Sequence, residues 1–590
     1  MTPFVLLIPF VLAVAVSVVS RKACYGIIIG SSVLLAGYAL GGAVPGTLAF
    51  FFVLSSLVLA VSSWYAIGFD RGAGRWLAPL FATAAFGIAL VLLSQNYLEF
   101  LAGWEIMSVA GYLMIGLHKK DPRPAFLFVA FSEVSTVFLI AGMAVACTLT
   151  GSFSFVSLPD TIPLTLMAIG FFIKMGVLPF IIGDWLPVAD GSSPAPVAAV
   201  LSALVTLIGV FGLIRIVLIS PSSMLLGAVL IAIGTFTVLF AALYAYVSEN
   251  TRLFLGYSTV ENNGAILVGI GLLIASPPGM ATGFLLSTVL MLCLAHSTAK
   301  TGLFLLTGSL DSDDLDTVQN RKDIRAIAGT ALLSASLSGL LPTIGGVAVW
   351  MLLEALFMTA SVSAVWITVP AILAGSLLAL GEGIVSGAMI KFISFTLLFD
   401  KSGAKRPENI FPVLLAGALV IVLGVGSILL INPDFVTGNP AVGIPAGLLI
   451  SSLTGAGTTF GVVSPVFIAL LTGIFALGAF FVFGKPVVRR AAVWNNGIEP
   501  VSRYTSFGFA NNIRLMMGKI VRTDLCADTK AHVTRNIFWE VVTGGAGIYK
   551  NAARKITWYT MNSSMGSYIC YLVVAFIFAM VFVVVTGVSS

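Results

Sequence analysis

The stretch 289-VLMLCLAHSTAKTGLFLLTGSL-310 decides the fold class, because it is an apolar run long enough to cross a lipid bilayer. An α-helix needs about 20 apolar residues to span a hydrocarbon core of about 30 Å, and comparable runs recur along the whole chain. A transmembrane β-barrel would show short segments of alternating hydrophobicity instead. The sequence therefore predicts an all-α polytopic protein that lies in a lipid bilayer.

The composition supports this class. Of the 590 residues, 59% are hydrophobic and 9% are charged, and the mean hydropathy is +1.08. A soluble domain carries about 25% charged residues. The five cysteines contain no CxxC pair and the three histidines form no cluster, so the spacing of a zinc or iron–sulfur site is missing. We expect no metal ion, no cofactor, no catalytic centre and no nucleic-acid partner for this chain.

Hydropathy predicts about sixteen transmembrane helices. They are 3–20, 24–43, 46–68, 76–94, 97–117, 124–148, 161–183, 194–219, 222–247, 253–275, 280–308, 326–360, 363–399, 410–432, 462–484 and 567–588. Three of them are irregular: 161–183 runs into 183-GDWLPVADGSSPAP-196, 326–360 contains 341-LPTIGG-346, and 363–399 contains Gly381, Gly383 and Gly387. Proline and glycine at membrane depth predict broken helices, which lipid tolerates only where the freed backbone faces protein or a water-filled cavity.

Basic residues alternate between the two sides of the membrane. Lys and Arg gather in the loops after the odd-numbered helices, for example 118-HKKDPR-123 and 249-ENTR-252, and are missing from loops such as 276-SPPG-279. Because basic loops stay on the cytoplasmic side, we expect both termini outside. The segment 485–566 then lies inside with twelve Lys and Arg residues. It is either a basic stretch held near anionic headgroups or a lateral helix that clamps helices or a partner subunit.

Several ionisable residues lie inside the predicted helices. Each costs at least about 2.5–3.5 kcal/mol at bilayer depth, so each is a functional candidate that faces the bundle interior. His296 and Lys300 share one helix face, so a proton can pass between them, and Lys174 precedes two prolines where a helix opens. The alternative is that buried ion pairs only fix helix packing, and for Glu133 and Glu382 both interpretations stay open. The candidates are Glu105, Glu133, Lys174, His296, Lys300, Glu382 and Lys391.

These residues stand in motifs that resemble the antiporter-like subunits of respiratory complex I, Mrp-type Na⁺/H⁺ antiporters and membrane-bound [NiFe] hydrogenases. The resemblance covers residues 60–430 and is carried by 104-WEIMSVAGYLMIG-116, 174-KMGVLPF-180, 185-WLPVADGSSPAPVAAVLS-202, 257-YSTVENNGAI-266, 296-HSTAKTGLFL-305 and 388-AMIKFISFTLL-398, the last similar to a second broken helix.

The resemblance implies two inverted five-helix repeats with broken helices, a pairing of Glu105 with Lys174, a central relay of Lys300 with His296, and Lys391 at the outer exit. One departure is that many family members carry a lysine or histidine in the helix after the first break, where this sequence has Leu207 and its neighbours Ser202 and Thr206.

The expected organisation follows from these features. It comprises N-terminal helices (1–75), a first repeat (76–219), a second repeat (220–400), C-terminal core helices (401–484), a basic amphipathic or lateral segment (485–566) and a final transmembrane helix (567–590). The segments 494-WNNG-497 and 504-YTSFGF-509 are similar to the hydrogenase and formate hydrogenlyase branch.

The resemblance implies a proton-translocating, or Na⁺/H⁺-exchanging, subunit of a redox-driven complex in the inner (plasma) membrane of a prokaryote. Its partners would be other membrane-arm subunits and a hydrogenase-like peripheral arm that holds Ni–Fe and iron–sulfur clusters. The alternatives are a subunit of complex I, a Mrp-type cation/proton antiporter, and a membrane scaffold that transports nothing.

Overall fold

The structure is a computed structural model. It describes residues 3–69, 74–117, 121–177, 185–276, 280–318, 323–362, 365–398, 410–427, 450–453, 459–484, 505–518, 521–525 and 532–560, together with residues 566, 569, 573 and 574. Met1–Val521 forms one compact unit and Arg522–Ser590 forms a second.

The first unit begins with three apolar helices. They are α1 (Ile8–Ser17), which follows a 3₁₀ turn at Pro3–Leu7, α2 (Arg21–Tyr38), which continues into a π turn at Ala39–Ala43, and α3 (Gly46–Ile67). The Ser20 hydroxyl accepts a hydrogen bond from the Ala23 backbone N–H at 3.3 Å and so caps α2. A side-chain cap satisfies one of the free N–H groups at a helix start.

The next group of helices contains the first predicted break. The group is α4 (Leu77–Leu93), α5 (Tyr97–Gly116), α6 (Arg123–Thr150), α7 (Ile162–Lys174), α8 (Trp185–Ser192), α9 (Ala195–Val200) and α10 (Thr206–Val217), with a π-helical segment at Leu201–Val205 between α9 and α10. Helix α7 ends at Lys174, and the backbone reverses its hand at Gly176, where φ is 69°. The predicted opening of the helix at Lys174 is therefore confirmed.

The following group has the same order. It consists of α11 (Met224–Val247), α12 (Thr251–Ala275), α13 (Met280–Thr307), α14 (Ile324–Leu337), α15 (Ile344–Val362), α16 (Val365–Ile393) with a π-helical segment at Ser394–Leu398, and α17 (Phe411–Val425). The predicted interruption at 341-LPTIGG-346 separates α14 from α15. A side chain at Gly345 would collide with the backbone of Ser336, so the two half-helices meet at a contact that only glycine permits.

The third predicted break, in the span 363–399 that resembles a second broken helix, is wrong. Helix α16 runs without interruption from Val365 to Ile393, through all three glycines that suggested a break. A Cβ at Gly381 would lie 2.9 Å from Val238, and one at Gly387 would lie 2.9 Å from Tyr246, both on α11. These glycines therefore allow two helices to approach closely, and this packing is compatible with a continuous α16 despite their low helix propensity.

The two groups of helices correspond position by position. In each group the broken helix is the fourth membrane crossing: α7 with α8 in the first group, and α14 with α15 in the second. Within the described residues, ten helices are long and apolar enough to cross a membrane and six shorter apolar helices accompany them. The prediction of an all-α polytopic membrane protein is confirmed.

Four short strands depart from the helical pattern. Strands β1 (Ile450–Leu453) and β2 (Thr459–Val463) form an antiparallel hairpin that leads into α18 (Pro465–Phe483). Two short helices follow, α19 (Ser506–Phe509) and α20 (Asn511–Met516). Strands β3 (Val521–Leu525) and β4 (His532–Asn536) pair with each other ahead of α21 (Ile537–Thr560). The predicted last helix, 567–588, lies almost entirely outside the described residues.

Candidate functional site

Lys174 lies in a closed pocket at the end of α7. Its side chain has no exposed surface. The Nζ atom donates hydrogen bonds to the Ser108 hydroxyl at 2.7 Å and to the Ser132 hydroxyl at 2.9 Å. The ammonium also lies 5.3 Å from the Trp104 ring centroid and 4.9 Å from that of Phe128. Neutral hydroxyls and aromatic faces thus hold this cation.

Two carboxylates lie near this pocket, on the outer side of α5 and α6. Glu105 accepts a hydrogen bond from the Thr136 hydroxyl at 2.5 Å. Glu133 is exposed, and both carboxyl groups lie within electrostatic range of Lys174. The structure therefore brings Glu105 and Lys174 together, as the resemblance implied, but serine hydroxyls rather than Glu105 receive the lysine hydrogen bonds.

Lys300 lies at the centre of a second polar group. Its side chain is fully buried, and its Nζ atom donates to the Leu255 carbonyl of α12 at 3.0 Å. Two buried acids, Asp190 at the end of α8 and Glu261 on α12, lie within electrostatic range of this lysine. Sequence reasoning proposed His296 as the neighbour of Lys300 and missed both acids.

His296 faces the π-helical segment between α9 and α10. Its Nε2 atom lies 3.2 Å from the Ser202 carbonyl, and the Ser297 hydroxyl donates to the Ala203 carbonyl at 2.7 Å. A π-helical turn shifts the backbone hydrogen-bond ladder, and such turns are frequent at functional sites. The side chains of α13 satisfy the carbonyls that this shift frees.

Two hydroxyls lie between the backbone groups that His296 and Lys300 of α13 contact. The Ser202 hydroxyl lies 2.5 Å from the Thr259 hydroxyl, which donates to the Leu255 carbonyl at 3.0 Å. That carbonyl is the acceptor of Lys300. Ser202 therefore puts a hydroxyl on the helix in which many relatives have a lysine or histidine, and Thr259 of α12 faces it, while Leu207 itself is buried and apolar.

Helix α12 connects the two lysine sites. The Asn263 side-chain amide donates to the Met175 carbonyl at 2.6 Å, directly after Lys174 at the break. Eight residues earlier on the same helix, Leu255 binds Lys300. At 1.5 Å per residue this separation is about 12 Å along the helix axis. The break after α7 and the Lys300 site are thus anchored on one rigid element.

Glu382 lies at the second helix break. A Cβ built on Gly339, where φ is 64°, would lie 3.3 Å from its Oε2 atom. Glu382 and Glu261 interact electrostatically, so the carboxylate faces both the break and the Lys300 group. Its Oε2 atom, the Asp190 carboxylate oxygens and His296 Nδ1 are buried without a hydrogen-bond partner among the described residues. Buried polar atoms of this kind are where internal water binds.

Lys391 occupies the end of α11. Its Nζ atom donates to the Tyr246 carbonyl at 2.9 Å and to the Ser248 carbonyl at 2.7 Å, and its side chain is buried. The basic loop 249–252 follows directly. The structure thus places Lys391 on the side of the basic loops, so the two expectations, basic loops inside and an outer exit at Lys391, cannot both hold.

Three buried acids and two serines were missed by the sequence reasoning. Glu261 and Glu354 lie inside predicted helices, so the criterion that selected Glu105 applies equally to them. Asp190 was treated as part of a loop because Gly and Pro surround it. Ser108 and Ser132 carry no signal, since serine is common in membrane helices and only the fold brings the two hydroxyls to one lysine. Over the described part of the chain, no cluster of three His, Cys, Asp or Glu side chains could hold a metal ion.

The chain was compared with known proteins. Residues 94–373 match the family model described as NADH:quinone oxidoreductase/Mrp antiporter, TM. An uncharacterised protein of Mycobacterium tuberculosis is 28% identical over 52% of this chain and 51% of its own length. Hydrogenase-4 component B of Escherichia coli is 26% identical over 59% of this chain and 56% of its own length. The chain thus spans about half the length of the curated relatives that it matches.

The fold extends further than the sequence similarity. A chain of the membrane-bound sulfane sulfur reductase (MBS), an archaeal respiratory membrane complex, superimposes with a TM-score of 0.77 at 16% identity. The match covers 98% of this chain and 99% of that chain. The resemblance to the antiporter-like subunits is thus confirmed for residues 94–373, which match the NADH:quinone oxidoreductase/Mrp antiporter family model over just under half of the chain, and the fold shared with the MBS subunit extends over nearly all of it.

Proposed function

We propose that this chain is a proton-translocating subunit of a redox-driven membrane complex, of the membrane-bound [NiFe] hydrogenase or formate hydrogenlyase type. The observation that carries the proposal is that Lys174, Lys300 and Lys391 are all completely buried, with carboxylates close to each. Ionisable groups at membrane depth are expensive and mark ion pathways. The Ni–Fe and iron–sulfur clusters would reside in partner subunits that form a peripheral arm. The chain itself would lie in the plasma membrane of a prokaryote.

The mechanism uses the distance between a buried lysine and its carboxylates. Such a lysine keeps its proton when an acid is near and loses it more easily when the acid withdraws. Lys174 is bound by neutral hydroxyls, so the position of Glu105 and Glu133 controls its charge. A redox event in a partner subunit would displace Glu105, and Lys174 would pass its proton beyond the break toward Asp190 and Lys300.

The energy required for this step is modest. Moving one charge against 100 mV takes about 2.3 kcal/mol. A hydrogen bond to a charged group contributes about 1.5–3 kcal/mol. Making or losing one such contact at Lys174 or Lys300 is therefore enough to drive a proton against a typical membrane potential.

Two findings support the redox branch. The match to hydrogenase-4 component B covers 59% of this chain. The family model ends at residue 373, whereas the fold shared with the MBS subunit continues through the C-terminal part. The second candidate is a complex I subunit or a Mrp-type cation/proton antiporter, and the family description itself favours it. A scaffold without transport is the third.

Purification of the tagged chain from native membranes separates these candidates. Under our proposal, soluble redox subunits with nickel and iron–sulfur clusters copurify, and the reconstituted complex acidifies proteoliposomes only while electrons flow. Copurification with membrane subunits alone, and cation/proton exchange without an electron donor, would identify an antiporter instead. Replacing Na⁺ by K⁺ in the same assay distinguishes the transported ion.

A variant at the central lysine tests whether the chain transports at all. Lys300→Ala is expected to abolish ion translocation while electron transfer and assembly persist. Thr301→Ala is the matched control, because the Thr301 hydroxyl donates only to the Ser297 carbonyl of its own helix, at 2.7 Å, and is equally buried. Translocation at the wild-type rate in Lys300→Ala would support the scaffold.

A further inference from the structure

The C-terminal end of α11 binds two cations side by side. Lys391 donates hydrogen bonds to the carbonyls of Tyr246 and Ser248. Arg514 donates from Nη2 to the carbonyl between them, that of Val247, at 2.8 Å. The last carbonyls of a helix lack partners within the helix and carry partial negative charge. Three consecutive carbonyls are therefore satisfied by one lysine of α16 and one arginine from a distant segment.

Arg514 is held by more than this carbonyl. Its Nη2 atom also donates to the Glu249 carboxylate at 2.7 Å, and Nη1 donates to the Phe507 carbonyl at 3.0 Å. The guanidinium lies 3.8 Å from the Phe507 ring centroid, and the residue is 6% exposed. A guanidinium presents five donors in a rigid planar fork, whereas a lysine ammonium is a compact point charge on a flexible stem.

A second anchor fixes the same segment to the loop after α13. The Ser506 backbone N–H and hydroxyl donate to the two Asp316 carboxylate oxygens at 2.7 and 3.0 Å. Between the anchors, the Phe509 ring lies 5.9 Å from Tyr246 and 6.4 Å from Phe395. Because Tyr246 binds Lys391 and Phe395 follows Lys391 by one helical turn, residues 505–517 lie over this lysine. We call them the 505–517 cover.

The charged groups that face Lys391 come from three elements. Arg514 belongs to the cover, Glu249 to the loop after α11, and Asp316 to the loop after α13. Arg514 is the other cation in this group, and it occupies both the central carbonyl and Glu249. It therefore fixes the cover in place. It also binds the same helix end and the same carboxylate that stabilise the charge of Lys391.

We propose that Arg514 is a positioning residue that keeps the 505–517 cover closed over Lys391 and thereby controls proton exchange between Lys391 and the aqueous phase on the basic-loop side. This proposal rests on Lys391 being part of the proposed ion path. Opening requires Arg514 to leave the α11 end and Ser506 to leave Asp316. Movement of either acid, both of which lie in loops on this side, would release the cover.

Accessibility of a thiol beneath the cover tests this proposal without measuring transport. Phe395→Cys places a reporter one turn beyond Lys391, at a position that is 6% exposed. A membrane-impermeant thiol reagent added from the basic-loop side should modify it slowly in the assembled complex. Adding Arg514→Gln should raise the rate of thiol modification about tenfold or more, because one hydrogen bond to a charged group contributes about 1.5–3 kcal/mol. The parent without the reporter corrects for labelling of the native cysteines.

Two further variants distinguish a specific role of Arg514 from a nonspecific effect of replacing an arginine on this side of the membrane. Arg514→Lys keeps the charge but loses the forked geometry, so it should restore only part of the slow rate. Arg325→Gln is the matched control, since Arg325 is 63% exposed on the same side of the membrane and pairs only with Asp323 at 2.9 Å. An unchanged rate in Arg514→Gln, or an equal increase in Arg325→Gln, would overturn the proposal.

Ion translocation by the same complexes distinguishes this proposal from the proposed function. Arg514→Gln should reduce the ions moved per electron and displace the pH profile of translocation, while electron transfer continues. If Lys391→Ala translocates normally, Lys391 is not on the path and the proposed function fails there. If Lys391→Ala is inactive but Arg514→Gln keeps both the wild-type accessibility and the wild-type pH profile, the role of Arg514 fails alone.

Discussion

The serine pair that binds Lys174 offers a sharp test of the ion path. Ser108 and Ser132 come from different helices, and their hydroxyls accept the Lys174 hydrogen bonds at 2.7 and 2.9 Å. Replacing both by alanine leaves the ammonium in a pocket of aromatic rings without an acceptor. We predict that the double variant assembles but cannot hold a proton on Lys174.

The magnitude follows from these two bonds. A hydrogen bond to a charged group contributes about 1.5–3 kcal/mol, so losing both costs the charged lysine about 3–6 kcal/mol. A potential of 150 mV supplies about 3.5 kcal/mol per charge. Because most of this range lies above that energy, each single variant should slow translocation about tenfold or more, and the double variant should stop it.

The assay is redox-driven acidification in proteoliposomes, with electron transfer recorded in the same sample. Ser135→Ala is the matched control: its hydroxyl donates to the Gly170 carbonyl at 2.7 Å, which joins α6 to α7 as the Ser132–Lys174 bond does, and makes no bond to Lys174. It should leave translocation intact. Undiminished translocation in the double variant would refute the reasoning, and so would equal losses in Ser135→Ala.

Three further predictions concern other parts of the chain. Asp190→Asn should reduce translocation about 100-fold, the lower end of the effect of a positioned proton-transfer group, because an amide cannot carry a proton between Lys174 and Lys300; proteoliposome acidification measures this. Gly345→Ala should lower the yield of folded protein in size-exclusion chromatography, because overpacking costs about 1–3 kcal/mol, whereas Gly383→Ala, where a Cβ meets nothing within 4 Å, should not. Asp323→Ala should destabilise the chain by about 1 kcal/mol at pH 7, since this carboxylate caps α14.

The last of these effects should depend on pH. Hydrogen bonds from the Arg325 side chain hold the pKa of the Asp323 carboxyl below its usual range. A carboxyl whose pKa is lower in the folded state stabilises the fold above its unfolded value of about 3.9 and loses this contribution as the pH falls through the folded value. The difference between wild type and Asp323→Ala in thermal unfolding should therefore shrink below about pH 4. A difference that is constant from pH 7 to pH 3 would contradict this.

Hydropathy and local chemistry were sufficient for much of this protein. Runs of about 20 apolar residues predicted the helices, because only a hydrogen-bonded helix satisfies its backbone in lipid. Gly and Pro marked both true breaks, after Lys174 and at 341-LPTIGG-346. The rarity of charge at membrane depth selected Lys174, His296 and Lys300, which the structure places in the polar interior.

Tertiary structure decided which polar groups meet. Gly381 and Gly387 suggested a break, yet they serve the packing of α16 on α11, because a glycine has the same local signature in both roles. Contacts between residues far apart in the sequence bring Ser108 and Ser132 to Lys174, and Asp190 and Glu261 to Lys300. The sequence by itself determined which helices cross the membrane, since that depends on each segment's transfer into lipid. Only the fold decided that Lys391 shares the end of α11 with Arg514, because the partners in that contact lie more than a hundred residues apart.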